Sequence, residues 1–187
     1  MDVTLLNRLL GEGFSKHLAM EVASGEMTEQ EALDERECDS RATDLRGMPP
    51  SEWPQIDVTW DTEPKNFHKS LDGEKPVKFS DRLSRLELVG VDIEELHEIL
   101  VRHSQRTQGP FASQYLFQTA GIVAFLETGR GVTPPLIRCV ENVTFIEGGN
   151  NRFALARYRR QGTIPILIER DERRALEERL PSLKAWP

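Results

Sequence analysis

Cysteine is scarce. The chain of 187 residues has two, Cys38 and Cys139, far apart and without metal-type spacing. This excludes a disulfide scaffold and a cysteine zinc site, and the expectation is two reduced thiols in a cytoplasmic protein. Histidine is sparse too: His17, His68, His97 and His103 are scattered, and the six-residue gap between the last two does not put them on one helical face. There is no apolar run long enough for a bilayer, so no membrane span is expected. The start, Met1-Asp2-Val3, lacks the basic segment of a signal peptide. A Gly-x-x-x-x-Gly-Lys-Ser/Thr loop is missing, so a nucleotide would have to be held without a Walker motif. Neither a repeat nor a low-complexity segment occurs. The hydrophobic content of 38% is low but sufficient for one core, and the length fits one domain with an appendage.

The formal net charge is −7, which argues against indiscriminate nucleic-acid binding. The average conceals an asymmetry. Residues 1–100 carry 11 basic and 23 acidic side chains, and residues 101–187 carry 13 basic and 8 acidic. An acidic half beside an anion-handling half fits this pattern, as does ordinary solvated charge.

Local signals outline the N-terminal region. Val3 to Leu10 reads as an amphipathic helix stopped by Gly11 and Gly13. Ser15 caps a second helix that Gly25 ends, and Thr28-Glu29-Gln30-Glu31 is a capping box for a third. Asp39 to Gln55 is expected to be irregular, Ile56 to Trp60 alternates like a strand, and Asp61 to Lys75 is polar and turn-rich. Val77 to Gly90 fits neither period. Asp92 caps a helix running to about His103, and Ser104 to Gly109 is a polar linker. At the other end, Asp171 to Arg179 reads as a charged helix with Glu169–Arg173 and Arg170–Arg174 spacings, ended by Pro181, with Trp186 folding back.

The richest stretch runs from Thr144 to Ala156. An apolar strand, Val143 to Ile146, meets Glu147, then Gly148, Gly149, Asn150, Asn151 and Arg152, and a helical pattern follows at once. A strand turning through glycines into a helix offers unsatisfied N–H groups and the positive end of a helix dipole, which together suit a phosphate.

From about Pro110 to Glu169 the chain resembles the core of the ParB/sulfiredoxin superfamily. The resemblance rests on a helix (Ser113 to Glu127), a turn (Gly129 to Pro135), a strand (Leu136 to Val140), the Gly148-Gly149-Asn150-Asn151-Arg152 turn with its strand and helix, and Gly162-Thr163-Ile164-Pro165 before a final strand (Ile166 to Glu169). It implies an α+β fold with a small mixed sheet. Residues 110–187 would form a nucleotide-phosphate-binding core with a C-terminal helix, and residues 1–109 an acidic, mainly helical region. Sulfiredoxins place a cysteine where Asn150 stands. Sulfinic-acid reduction needs a thiolate, so that activity is not expected here. The layout is also similar to plasmid oncogenic-suppression, or fertility-inhibition, members. That likeness implies an NTPase and DNase using ATP or another NTP with Mg2+. Its partners would be nucleotide, DNA, and a secretion or conjugation-system protein met through the acidic half.

Candidate site residues follow. Arg152 would pair with phosphate, its alternative being a salt bridge, and its loss is expected to weaken binding while leaving the fold intact. Asn150 and Asn151 would serve as ligand or as helix cap. Gly148 and Gly149 would give backbone access. Glu147 would hold a metal ion or take a proton, or else be an exposed strand end, with Glu127 and Glu141 as possible acidic partners; if Glu147 is not the acid, these two and the acidic Asp57-to-Glu63 segment are the next candidates. Arg130 and Thr133 would reach a nucleotide tail, although Gly129 is explained by a helix C-cap. Gln118 and Thr119 fall near the helix positions that bind nucleotide in sulfiredoxins. Arg157 and Arg160 share a helix face that suits a DNA backbone or simply solvent. Two further readings stay open: a non-catalytic interaction protein with a vestigial phosphate site, and a small-molecule kinase.

Overall fold

The computed structural model describes residues 1–71 and 76–187. Three helices open the chain: α1 (Val3–Gly11), α2 (Lys16–Ser24) and α3 (Glu29–Arg46). Their starts follow the capping signals. The Asp2 carboxylate accepts from the Thr4 and Leu5 N–H groups, Ser15 accepts from Leu18, and Thr28 and Glu31 form the reciprocal box. Gly25 ends α2 at φ +75°. The three helices enclose a small core of their own around Leu9, Phe14, Leu18 and Val22.

The helix α3 runs past Asp39 to Arg46, where irregular chain was expected. Its C-terminal turns lie along α7 (Leu116–Glu127), bury Ala42 and Leu45, and pair Arg41 with Glu127 at 2.7 and 2.8 Å. Tertiary packing overrides weak local pattern there. The expected strand at Ile56 to Trp60 is reduced to one parallel bridge, Trp60 with Val132. Thr59 and Asp61 bond to Val132 and no further. The partner chain continues into Pro134 and Pro135, which have no N–H to extend a ladder. A 3₁₀ stretch, Pro64–Ser70, follows, then α4 (Pro76–Leu83). The expected turn-rich segment extends to Lys75, and its last four residues lie outside the described ones.

The helix capped by Asp92 is α5 (Ile93–Ile99). It stops short of His103 because Leu100 turns extended to bridge Thr144, and a short α6 (Arg102–Gln105) follows. After α7 come β2 (Leu136–Val140), β3 (Val143–Gly148), α8 (Asn150–Tyr158) and β4 (Thr163–Glu169). The tail forms a shorter helix than expected, α9 (Arg173–Glu177), and β5 (Lys184–Ala185). Glu169 stays in β4, so the pairs formed are Arg173–Glu177 and Arg174–Glu178.

With β1 (Leu86–Asp92), these strands make a mixed sheet in the order β3-β2-β4-β1-β5. Only β2 and β4 pair in parallel. The fold is α+β. Strand β1, which precedes residue 110, lies inside the sheet, so the sheet is not confined to residues 110–187. Strand β4 is covered on both faces, and Ile164, Ile166, Leu167 and Ile168 are fully buried. Trp186 folds back onto Gly90, where a β-carbon would come within 3.0 Å of its ring.

Candidate functional site

The turn from β3 into α8 is built by close backbone approaches. A β-carbon on Gly148 would lie 2.2 Å from the Ser70 carbonyl oxygen. Gly149 sits at φ +84°, and its β-carbon would lie 2.9 Å from Pro135 Cα. On the facing loop, a β-carbon on Gly131 would lie 2.7 Å from the Asp61 nitrogen. The segment from Thr59 to Leu71 therefore lies directly on two glycine-bearing loops, which is the reason side chains are excluded there.

A cavity of about 370 Å³ opens between this segment, α7 and the start of α8. Ile122, Phe125 and Val132 supply apolar wall, and Asp61, Lys69, Gln118, Thr133, Asn150 and Asn151 supply polar atoms. Thus the structure gathers Thr133, Gly149, Asn150, Asn151 and Arg152 at one opening. Gly148 lies just behind it under Ser70. Helix α8 starts at Gly149 without a side-chain cap, so its positive end faces the turn undecorated.

Asn150 contributes an unusual atom. Its Oδ1 is buried and has no hydrogen-bond partner. A buried acceptor left unmatched is costly, and a hydroxyl or amino donor of a ligand at the turn would relieve it, whereas an ionised phosphate oxygen would not. Asn151 has its Oδ1 engaged by Arg106, whose guanidinium also lies over the Tyr115 ring at 3.9 Å. Neither asparagine acts as the cap, since that position belongs to Gly149.

Arg152 is only 8% exposed. Its guanidinium donates to the carbonyls of Thr133 at 2.7 Å, Ser70 at 2.9 Å and Lys69 at 3.3 Å. These bonds tie the 59–71 segment to the Gly131–Pro135 loop. The sequence leads to the expectation that Arg152 can be removed with the fold intact; in this placement its loss would strand the carbonyls it bonds, alongside the Thr59–Val132, Asp61–Val132 and Thr133–Asn66 bonds that tie the same segments. Thr133 is likewise buried, and its hydroxyl donates to the Asn66 carbonyl at 3.4 Å. The Thr119 hydroxyl donates to the Pro110 carbonyl at 2.6 Å, whereas Gln118 lines the cavity.

Glu147 does not line this cavity. It sits in an ion-pair network with Arg82 and Arg138, which also engage Glu169 and Glu172. Arg82 Nη1 donates to it at 2.8 Å, and a second bond from Nη2 completes a fork. The Arg82 guanidinium holds the Glu147 carboxyl below its ordinary range, Arg138 adds to this, and burial opposes both. Two guanidinium groups are bonded to the Glu147 oxygens, so a magnesium ion there would have to displace them. Its expected partners are elsewhere: Glu127 pairs with Arg41, and Glu141 forms the β2–β3 hairpin turn with Asn142, both at positive φ.

Arg130 also lies outside the cavity. It bonds the Thr128 hydroxyl, covers the Phe125 ring and approaches Cys38 Sγ at 3.4 Å, in a neighbouring groove against α3. On α8, Arg157 forks onto Glu94, while Arg159 bonds the Pro54 carbonyl and the Gln55 side chain.

Two functional candidates, Lys69 and Arg106, escaped the sequence reading of the turn, and a third, Asp61, entered it only within the acidic Asp57-to-Glu63 segment. Asp61 and Lys69 come from a segment that looks like plain loop, and Arg106 comes from a polar linker. Asp61 is the sole carboxylate on the cavity wall among the described residues, and it accepts from Asn66 Nδ2 at 2.7 Å and the Glu63 N–H at 3.0 Å. No local spacing connects these positions to Gly149, because the contact depends on the 59–71 segment docking. No family model matches the chain, and no curated protein or solved structure matches it.

Proposed function

We propose that the chain binds a nucleotide by its phosphate tail at the start of α8, in the manner of the ParB/sulfiredoxin superfamily, and hydrolyses it. The single observation carrying this is the uncapped start of α8 at a cavity large enough for a nucleotide, and the unpartnered Oδ1 of Asn150 beside it suits a ribose hydroxyl donor. Phosphate would meet the Gly149–Asn151 backbone, with Lys69 as a cation on the cavity wall and Phe125 and Ile122 as apolar surface for the nucleoside. Arg152 would shape the pocket by fixing its carbonyls.

If the bound nucleotide is turned over, Asp61 is the carboxylate positioned to orient a water molecule or, with Mg2+, a hydrated ion. Glu147 is engaged by arginines outside the cavity. A second reading, a non-catalytic interaction protein with a vestigial site, is favoured by the engagement of both Glu147 and Arg152 in internal bonds. Phosphate release from ATP, CTP and GTP, with and without magnesium and plasmid DNA, separates the two. Magnesium-dependent release that Asp61→Asn abolishes supports the enzyme. Binding without release supports the second reading, and neither binding nor release sinks the nucleotide assignment.

A further inference from the structure

A second cavity, of about 440 Å³, lies on the other side of the α8 start. Arg106, Arg157 and Arg160 line it, together with Tyr158 and Phe153. Its one acidic residue among the described lining is Glu94, and both oxygens of Glu94 are taken by Arg157, at 2.8 to 3.0 Å. Arg106 and Arg160 have no carboxylate partner among the described residues. Elsewhere in this acidic chain arginines meet carboxylates, as in Arg41–Glu127, Arg82–Glu147 and Arg173–Glu87. Arg106 and Arg160 therefore bring positive charge to one cavity that no carboxylate among the described residues pairs with, which suits an external anion.

Arg106 shows a further mark of a built site. Its backbone is at φ 42°, ψ 90°, a conformation costly for a residue with a β-carbon. From there its half-buried side chain reaches Asn151 and the Tyr115 ring. Burial lowers the guanidinium pKa, the effect expected where no counter-charge compensates desolvation. Asn151 lines the first cavity and accepts from the arginine that lines the second, so the two cavities share one bridging amide.

We propose that this second cavity is an anion subsite that takes a phosphoryl group, held by Arg106 and Arg160. A guanidinium presents paired donors that match two oxygens of a phosphate, and Tyr158, half exposed, offers a ring beside them. The subsite deepens the reading above and rests on it only for the ligand being a phosphate ester. Its source is either a free oligophosphate or a phosphodiester chain running past Asn151.

The test is NMR observation of arginine Nε–Hε and backbone amide signals in the full chain, titrated with inorganic pyrophosphate and, separately, with a thymidine trinucleotide. The Arg106 and Arg160 signals are expected to shift and saturate. Arg160→Gln, an exposed position outside the core, should weaken this site roughly three- to tenfold while the Gly149–Asn151 amides respond as before. Tighter saturation by the trinucleotide identifies a phosphodiester chain, and saturation by pyrophosphate alone identifies a free oligophosphate. Arg106 and Arg160 signals that stay still, or that move equally with chloride at matched ionic strength, overturn the subsite. Saturation there with unmoved Gly149–Asn151 amides keeps the subsite and removes the nucleotide reading.

Discussion

Arg152, in the first turn of α8, donates to the carbonyl of Ser70 at 2.9 Å, and the same guanidinium donates to Thr133 at 2.7 Å. One buried side chain thereby fixes the spacing of three backbone segments around the cavity. Arg152→Ala removes these charge-assisted bonds and strands their carbonyls. It is expected to lower stability by about 2 to 3 kcal/mol, read as a drop in the urea midpoint. Arg152→Lys should recover little, because a single ammonium nitrogen cannot stand where both Nη1 and Nη2 make their bonds. A midpoint unchanged in Arg152→Ala would show that the segment is held by other means.

Gly148 answers to the same residue from the other side. A β-carbon there would meet the Ser70 carbonyl oxygen at 2.2 Å, and a backbone atom cannot swing away as a side chain does. Gly148→Ala is expected to cost on the order of 1 to 3 kcal/mol and to loosen the 59–71 segment. Amide hydrogen exchange would report this as faster exchange at Asp61 and Leu71, with β4 unaffected. Protection equal to wild type at both would discard the close approach as a determinant.

The Glu147 network makes a pH prediction. Arg82 and Arg138 hold the Glu147 carboxyl below its ordinary range, so the folded state binds its proton less readily than the unfolded state. The stabilisation is present above the unfolded carboxylate pKa of about 4.3 and is lost as pH falls through the lower folded value. Glu147→Gln should destabilise the protein at pH 7 and flatten the decline in melting temperature below about pH 4.5. A parallel decline in wild type and variant would contradict the ion pair. The variant should still bind nucleotide, since Glu147 lies away from the cavity.

Much of the site was legible because its geometry is local. Ser15, Thr28 and Asp92 placed helix starts, Gly129 marked a helix end at φ +78°, and the run from Val143 to Asn151 announced a strand, a turn and a helix. The contents of the turn were less legible. Whether Arg152 faces solvent or backbone depends on Lys69 and Ser70, more than eighty positions away. The pairing of Glu147 depends on Arg82, in a stretch whose period fits neither helix nor strand. The continuation of α3 to Arg46 depends on α7, and the failure of Ile56 to Trp60 as a strand depends on the prolines after Thr133. In each case the deciding partner is distant in sequence, and a local pattern carries no information about it.

The central claim is that the start of α8 receives the phosphate tail of a nucleotide, and Asn150, whose amide can donate to a phosphate oxygen and accept from a ribose hydroxyl, tests it most directly. Calorimetric titration of wild type and Asn150→Ala with ATP is the measurement. The account predicts saturable binding by wild type and a loss on the order of 1 to 2 kcal/mol in the variant, which is about five- to thirtyfold in affinity. The melting temperature of the unliganded variant should stay equal or rise, because an unpartnered buried acceptor has been removed. Equal affinity in the two proteins, or no binding by wild type at millimolar nucleotide, would contradict it.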